Sequence, residues 1–206
     1  MICTFVVNLN WRLIRLKRLS VSIIAVLILF LFACDELTDL VEGPVDSLID
    51  QDVVESQDFN LRTPVYGMQV AIKNGVDAGI QHILDLLDNR AEQFFNCQFA
   101  EGSQVGFEDF MLDNGTVVHP LSELRVYVVP NRFDCDAVGR SVCGGIYFFD
   151  IDAIVISEGG FQGCGEFSVW KHELGHRYGM EADHSNISDF KPCINPDKCS
   201  ISDIFD

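Results

Sequence analysis

Apolar residues recur at helical spacing in the first half of the chain and predict one long amphipathic helix, from Val76 to about Cys97. The stretch from Phe167 to about Tyr178 predicts a second helix. Between the two helices, short runs of β-branched and aromatic residues are separated by turn residues, which is typical of strands. The predicted strands are Phe107–Leu112, Thr116–His119, Leu124–Val129, Ile146–Phe149 and Ala153–Ser157.

This order of elements is typical of an α+β domain. We expect a twisted, mostly antiparallel or mixed sheet that packs on the long helix, with the second helix behind it and an irregular, cysteine-containing tail. Asn114-Gly115, between two of the apolar runs, predicts a hairpin. Asp150 and Asp152 lie at a predicted turn between strands, where two acids can hold calcium but are more often only solvated.

The charge of the chain is strongly negative and unevenly distributed. Its 206 residues include 31 acidic and 14 basic side chains, a formal net charge of −17. This balance argues against a nucleic-acid partner, since phosphate binding needs clustered Lys and Arg. Residues 35–60 carry nine acidic side chains and no basic one. They predict a solvated tether over residues 34–60, between an N-terminal segment 1–33 and a domain 61–206.

The N-terminal segment has the features of an export signal. Val21 to Ala33 is apolar except for Ser22, and these 13 residues are fewer than the roughly 20 that span a bilayer. A basic flank precedes them, and the sequence Leu-Phe-Ala-Cys that ends at Cys34 resembles a bacterial lipobox. The segment therefore predicts an exported lipoprotein, anchored to a bacterial membrane through lipid on Cys34. An uncleaved signal anchor is the alternative.

Eight cysteines are present, of which Cys3 lies in the predicted signal and Cys34 would carry lipid. An even number of remaining cysteines in an exported chain implies disulfides. These six are Cys97, Cys135, Cys143, Cys164, Cys193 and Cys199. Short separations favour the pairs Cys135–Cys143 and Cys193–Cys199, which leaves Cys97–Cys164. A thiolate zinc cluster is disfavoured because the chain has no CxxC pair.

The second predicted helix contains the sequence His-Glu-Leu-Gly-His, an HExxH motif. Residues four apart lie on one face of a helix, so His172 and His176 can supply two nitrogen ligands to one Zn²⁺. Glu173 is placed to act as general base for water activated by the metal. Gly179 can end the helix in a left-handed turn and direct the chain back toward the metal.

The four positions His172, Glu173, His176 and Gly179 resemble the metzincin clan of zinc metallopeptidases, whose pattern is HExxHxxGxxH. The resemblance covers about residues 144–195. The third histidine of the clan would fall at Ala182, which has no donor atom. We expect a longer loop to present His184 as the third ligand, with Asp183 as the alternative.

The resemblance implies a zinc-dependent endopeptidase that holds one Zn²⁺ per chain and cleaves protein or peptide substrates. The substrate would lie extended along an edge strand, for which Ala153–Ser157 is the candidate. A lipoprotein that binds zinc or a protein partner without catalysis is the alternative function. The two differ in their zinc sites, because structural sites are closed by four protein ligands and catalytic sites keep one position open.

The lipobox interpretation predicts that Cys34→Ser abolishes lipid attachment and yields soluble or unprocessed protein, because that thiol carries the lipid. Metabolic labelling with palmitate and membrane fractionation measure the two effects. Cys3→Ser is the matched control and should change neither. A Cys34→Ser protein that is labelled and sediments like wild type would contradict the interpretation.

Overall fold

A computed structural model describes residues 44–135, 142–161 and 168–194 of the chain. Over these residues the protein is a mixed α+β structure, as predicted. Its helices are α1 (Gln51–Glu55), α2 (Ile80–Gln98), α3 (Ser168–Arg177) and α4 (Ile187–Ile194). Its strands are β1 (Val45–Asp46), β2 (Leu61–Arg62), β3 (Gln69–Ile72), β4 (Phe110–Met111), β5 (Val117–Val118), β6 (Arg125–Val129), β7 (Arg132–Phe133), β8 (Gly145–Phe148) and β9 (Ala153–Ser157).

The main sheet has five strands in the order β2-β3-β6-β9-β8. The inner pairs β3–β6 and β6–β9 are parallel, whereas β2 and β8 run antiparallel to their neighbours. The expectation of a mixed sheet is therefore confirmed. The choice of Ala153–Ser157 as an edge strand was wrong, because β9 is paired on both sides and all five of its residues are buried. The edge strand next to it is β8.

The sheet is covered on both faces, which explains why its central strands are almost continuously apolar. Alternate residues of β6 and β9 enter two separate cores. One core combines the sheet with α2, α3 and α4; its sheet residues are Val70, Val126, Val128, Ile154 and Ile156. The other lies on the opposite face and contains Ala71, Tyr127, Val129, Ala153 and Val155. Helix α1 packs into this second core.

Part of the predicted acidic tether belongs to the domain, so the boundary at residue 60 was placed too late. The compact unit begins at Gly43. Ile49 is 3% exposed and Val54 is fully buried in the second core. Two acids of this stretch have structural roles, and one of them, Asp46, forms an ion pair with Lys73 at 3.0 Å. Asp50 caps α1 by accepting a hydrogen bond from the Val53 backbone N–H.

Most predicted elements are present, with shifted ends. Helix α2 begins at Ile80 rather than Val76, and just before it the Glu158 carboxylate accepts hydrogen bonds from the backbone N–H groups of Asp77 and Ala78. The predicted hairpin forms, with β4 and β5 paired antiparallel around the Asn-Gly turn. The tail was expected to be irregular, but it contains α4, whose Phe190, Cys193 and Ile194 are buried in the first core.

Two disulfides are described. Cys135–Cys143 forms as predicted. Cys97 bonds Cys193 across a sequence separation of 96 residues, so the predicted pairs Cys97–Cys164 and Cys193–Cys199 were wrong. The bond joins the C-terminal turn of α2 to α4. Cys164 and Cys199 lie outside the described residues, as do the predicted signal and Cys34.

Within the described part of the chain, none of the helices combines the length and the hydrophobicity that crossing a bilayer requires.

The Cys97–Cys193 bond is expected to be the more stabilising of the two described disulfides. In the chain-entropy account it closes a loop of 96 residues and contributes about 4–5 kcal/mol, against about 2.5 kcal/mol for the 8-residue loop of Cys135–Cys143. Equilibrium urea unfolding of two double variants, Cys97→Ala/Cys193→Ala and Cys135→Ala/Cys143→Ala, measures the difference. An equal or larger loss in the second variant would contradict this ranking.

Candidate metal centre

Helix α3 has a buried side and a side that faces a cleft. Trp170, Leu174 and Tyr178 follow one another at intervals of four residues, and all three are buried. The Trp170 indole N–H donates a hydrogen bond of 3.2 Å to the Leu87 carbonyl of α2. His172 and His176 are also four residues apart, on another side of the helix, and are half-buried. Anchoring of the apolar side thus directs both imidazoles into the cleft.

The chain reverses directly after this helix, at Gly179. This residue has φ of 104°, a left-handed conformation that favours glycine. The Met180 backbone N–H bonds the Gly175 carbonyl, and the Gly179 N–H bonds the His176 carbonyl, as in a Schellman cap. The predicted left-handed helix end is therefore confirmed.

The return loop places His184 beside the helical histidines. Asn186 braces this loop, since its side chain accepts from the Glu181 N–H at 2.8 Å and donates to the Gly179 carbonyl at 2.9 Å. His184 itself has a φ of 60°. A non-glycine residue in this region has to be stabilised by its surroundings. In the HExxHxxGxxH pattern the third histidine would fall at Ala182. Here the loop is two residues longer, so that His184 takes the place of that third histidine.

The three imidazoles form a group with the dimensions of a metal site. His172 Nε2 lies 3.1 Å from His176 Nε2 and 3.0 Å from His184 Nε2. Two nitrogens bound to one tetrahedral zinc at about 2.0–2.1 Å are about 3.3–3.4 Å apart. A neutral imidazole nitrogen directs one proton or one lone pair along a single axis, so His172 cannot satisfy both neighbours by hydrogen bonds. Three nitrogens at these distances could hold one shared metal ion.

The hydrogen bonding of His176 also favours metal binding. Its Nδ1 lies 3.0 Å from the Met180 carbonyl oxygen, which can only accept, so Nδ1 carries the proton. The lone pair is then on Nε2, the nitrogen that faces the other two histidines. A ring nitrogen that donates to a carbonyl in this way sets the orientation of a metal-binding histidine.

Glu173 lies beside this group and is 6% exposed. The edge strand β8 passes very close to it, because Gly145 has no side chain. A Cβ atom at position 145 would lie 3.0 Å from Glu173 Cγ and 2.6 Å from Val169 Cγ1. Glycine is required at this position by the close approach of strand and helix, which brings β8 against Glu173.

A cleft of about 450 Å³ opens onto the three histidines and Glu173. Strand β8 forms one wall through Gly145 and Tyr147, and the β4–β5 hairpin contributes Leu112 and Thr116 to another. Sequence analysis did not identify Tyr147 or the hairpin as parts of the site. The sequence does not indicate that these residues line the cleft, because only sheet pairing and packing bring them there.

The alternative ligand Asp183 lies outside the group of histidines. Its carboxylate accepts a 2.9 Å hydrogen bond from the Ser185 backbone N–H, which lowers the pKa of the Asp183 carboxyl. The structure thus brings together His172, His176 and His184 and leaves Asp183 exposed beside them.

Replacing His184 tests the three-histidine site directly. His184→Ala should weaken Zn²⁺ binding by more than the roughly 10–100-fold that loss of a group supporting a ligand costs, because two imidazoles remain. Asp183→Ala is the matched control and should leave Zn²⁺ affinity nearly unchanged. Zinc content after dialysis and competition with a chelator measure both variants. Retention of zinc by His184→Ala, or its loss from Asp183→Ala, would contradict this ligand set.

Comparison of the chain with protein-family models, with curated proteins and with solved structures found no match. The interpretation of the site therefore depends on its own geometry and on the HExxH motif. On that basis His172, His176 and His184 are a candidate metal centre, with Glu173 beside it.

Proposed function

We propose that this protein is a zinc-dependent endopeptidase of metzincin type, anchored to a bacterial membrane as a lipoprotein. The observation that carries the proposal is the convergence of three imidazole nitrogens on an open cleft, next to Glu173 and an edge strand. Each of these features has a role in metal-dependent peptide hydrolysis, and the HExxH motif accounts for three of the four side chains.

The donor set fits zinc. Imidazole nitrogens are common zinc ligands, and three protein ligands with a further open position are typical of catalytic zinc. When bound, zinc supplies Lewis acidity that polarises a carbonyl group and makes nearby water more acidic. Glu173 takes the proton from the attacking water and delivers it to the leaving amine. Burial of Glu173 keeps its carboxylate in a fixed position for both transfers.

Strand β8 is the surface on which an extended substrate would be bound. It is the terminal strand of the five-stranded sheet, and its residues Gly145 and Tyr147 line the same cleft as His172. A peptide that pairs with this edge gains main-chain hydrogen bonds that do not depend on sequence, while pockets for alternate side chains provide selectivity. Strand β8 replaces β9 in this role, because the edge of β9 is already occupied.

The alternative is a closed, structural zinc site without catalysis. Within the described residues, the group of potential ligands has three members rather than four. It also borders a cleft of about 450 Å³ rather than a sealed core. Both observations favour a site that admits substrate.

Lipid on Cys34 would keep the catalytic domain close to the membrane. We therefore propose that the substrates are polypeptides present at the membrane surface.

Replacing Glu173 separates catalysis from metal binding. Glu173→Gln keeps the size of the side chain but removes the base, so kcat for cleavage of an unfolded protein should fall by about 10²–10⁴-fold. Zinc content should remain at one per chain, since the three histidines are intact. Activity is measured on a fluorescently labelled, unfolded protein and zinc by atomic absorption.

The matched control is Glu181→Gln, which makes the same change at an exposed residue that also lines the cleft. It should retain activity close to that of wild type. Equal activity in Glu173→Gln and wild type would exclude Glu173 as the base. Stoichiometric zinc without cleavage of any unfolded protein by the wild type would favour the non-catalytic alternative.

A further inference from the structure

Arg177 is a charged residue whose side chain is 1% exposed. Its guanidinium donates two hydrogen bonds to the Asp152 carboxylate, from Nε to Oδ1 and from Nη2 to Oδ2, each at 2.7 Å. Two further N–H groups bond the Tyr178 hydroxyl at 3.2 Å and the His119 carbonyl at 3.0 Å. A buried charge is tolerated only when it is paired and hydrogen-bonded in this way.

The position of this ion pair relates it to the metal centre. Arg177 is the last residue of α3 and directly follows His176. Asp152 is at the turn between β8 and β9, where it adopts a left-handed conformation with φ of 44°. The bidentate pair therefore fastens the end of the helix that carries the histidines to the end of the edge strand. It also corrects the interpretation of Asp152 as a solvated acid.

Two further contacts extend the connection to the walls of the cleft. Asp152 Oδ1 accepts a 3.1 Å hydrogen bond from the hydroxyl of Tyr147, a residue of β8 that lines the cleft. Burial and the neighbouring Asp152 carboxylate raise the pKa of Tyr147, so the hydroxyl keeps the proton that it donates. His119, whose carbonyl bonds Arg177, follows the β4–β5 hairpin of the opposite wall. The Arg177 guanidinium is thus linked directly to the residue that follows the hairpin, and through Asp152 to Tyr147 of β8.

We propose that Arg177 is a positioning residue that sets the geometry of the metal centre through Asp152. The rigid fork of the guanidinium fixes the last turn of α3 against β8 in both distance and orientation. His176 belongs to this turn, so the fork contributes to the alignment of its Nε2 with the other two histidines, beside the hydrogen bond of its Nδ1 to the Met180 carbonyl. A lysine at this position keeps the charge but has no fork. The inference rests on the metal site of the proposed function and not on peptide hydrolysis.

The test uses Co²⁺, whose visible absorption reports on coordination geometry, added to the metal-free protein. Arg177→Lys should weaken Co²⁺ binding by about 10–100-fold, the usual effect of losing a group that orients a metal ligand, and should change the shape of the visible spectrum. The matched control is Lys73→Met, which breaks the Asp46–Lys73 ion pair away from the cleft. It should leave both the affinity and the spectrum unchanged.

Thermal unfolding of the metal-free variants separates positioning from stability. If Arg177→Lys lowers the unfolding temperature while the Co²⁺ spectrum and affinity equal those of wild type, Arg177 is only structural and the proposal is overturned. If Arg177→Lys does not fold, Asp152→Asn is tested instead, by Co²⁺ binding and by thermal unfolding. This variant removes the negative charge of Asp152 but keeps an oxygen that accepts the hydrogen bond from Tyr147. A wild-type protein that binds no Co²⁺ would instead overturn the metal site itself, and with it this inference.

Discussion

The structure around the cleft depends on how the ten-residue helix α3 is anchored. Its apolar side, with Trp170 and Leu174, is buried against α2 and the sheet, and the Trp170 indole bonds a main-chain carbonyl of α2. Since residues four apart share one side of a helix, burial of this side leaves His172 and His176 no direction other than the cleft. The packing of the first core and the orientation of the candidate ligands are therefore consequences of the same contact.

Contacts at both ends of this helix shape the cleft. They are close packing against a glycine near its start and polar contacts at its end. Near the start, Gly145 lets β8 lie against α3 so closely that a Cβ atom would collide with Val169. At the end, Arg177 and Asp152 join the helix to the β8–β9 turn. Close packing sets the distance between strand and helix, and the bidentate ion pair sets their orientation.

The wrong predictions from the sequence share one physical origin. Each concerns a contact between residues that are far apart in the chain. Cys97 was assigned to Cys164 from separation alone, yet its partner is Cys193 on a helix that was not expected. The acidic stretch before residue 60 was read as solvated, although Ile49 and Val54 fill a core most of whose other buried residues are more than 70 residues away. Likewise, the local pattern of β9 describes a buried strand correctly but cannot tell which strands lie beside it.

What the sequence alone determined was local: the α+β order of elements, the hairpin at Asn-Gly, the common face of the two HExxH histidines and the helix end at Gly179. These follow from backbone periodicity and from the conformational freedom of glycine, which act over a few residues. Only the tertiary structure decided that His184 rather than Asp183 joins the pair, and that Arg177 is bound to Asp152. Both outcomes depend on where a loop returns and on which strand end meets which helix. Those positions come from the packing of the whole domain, for which no short stretch of residues contains the information.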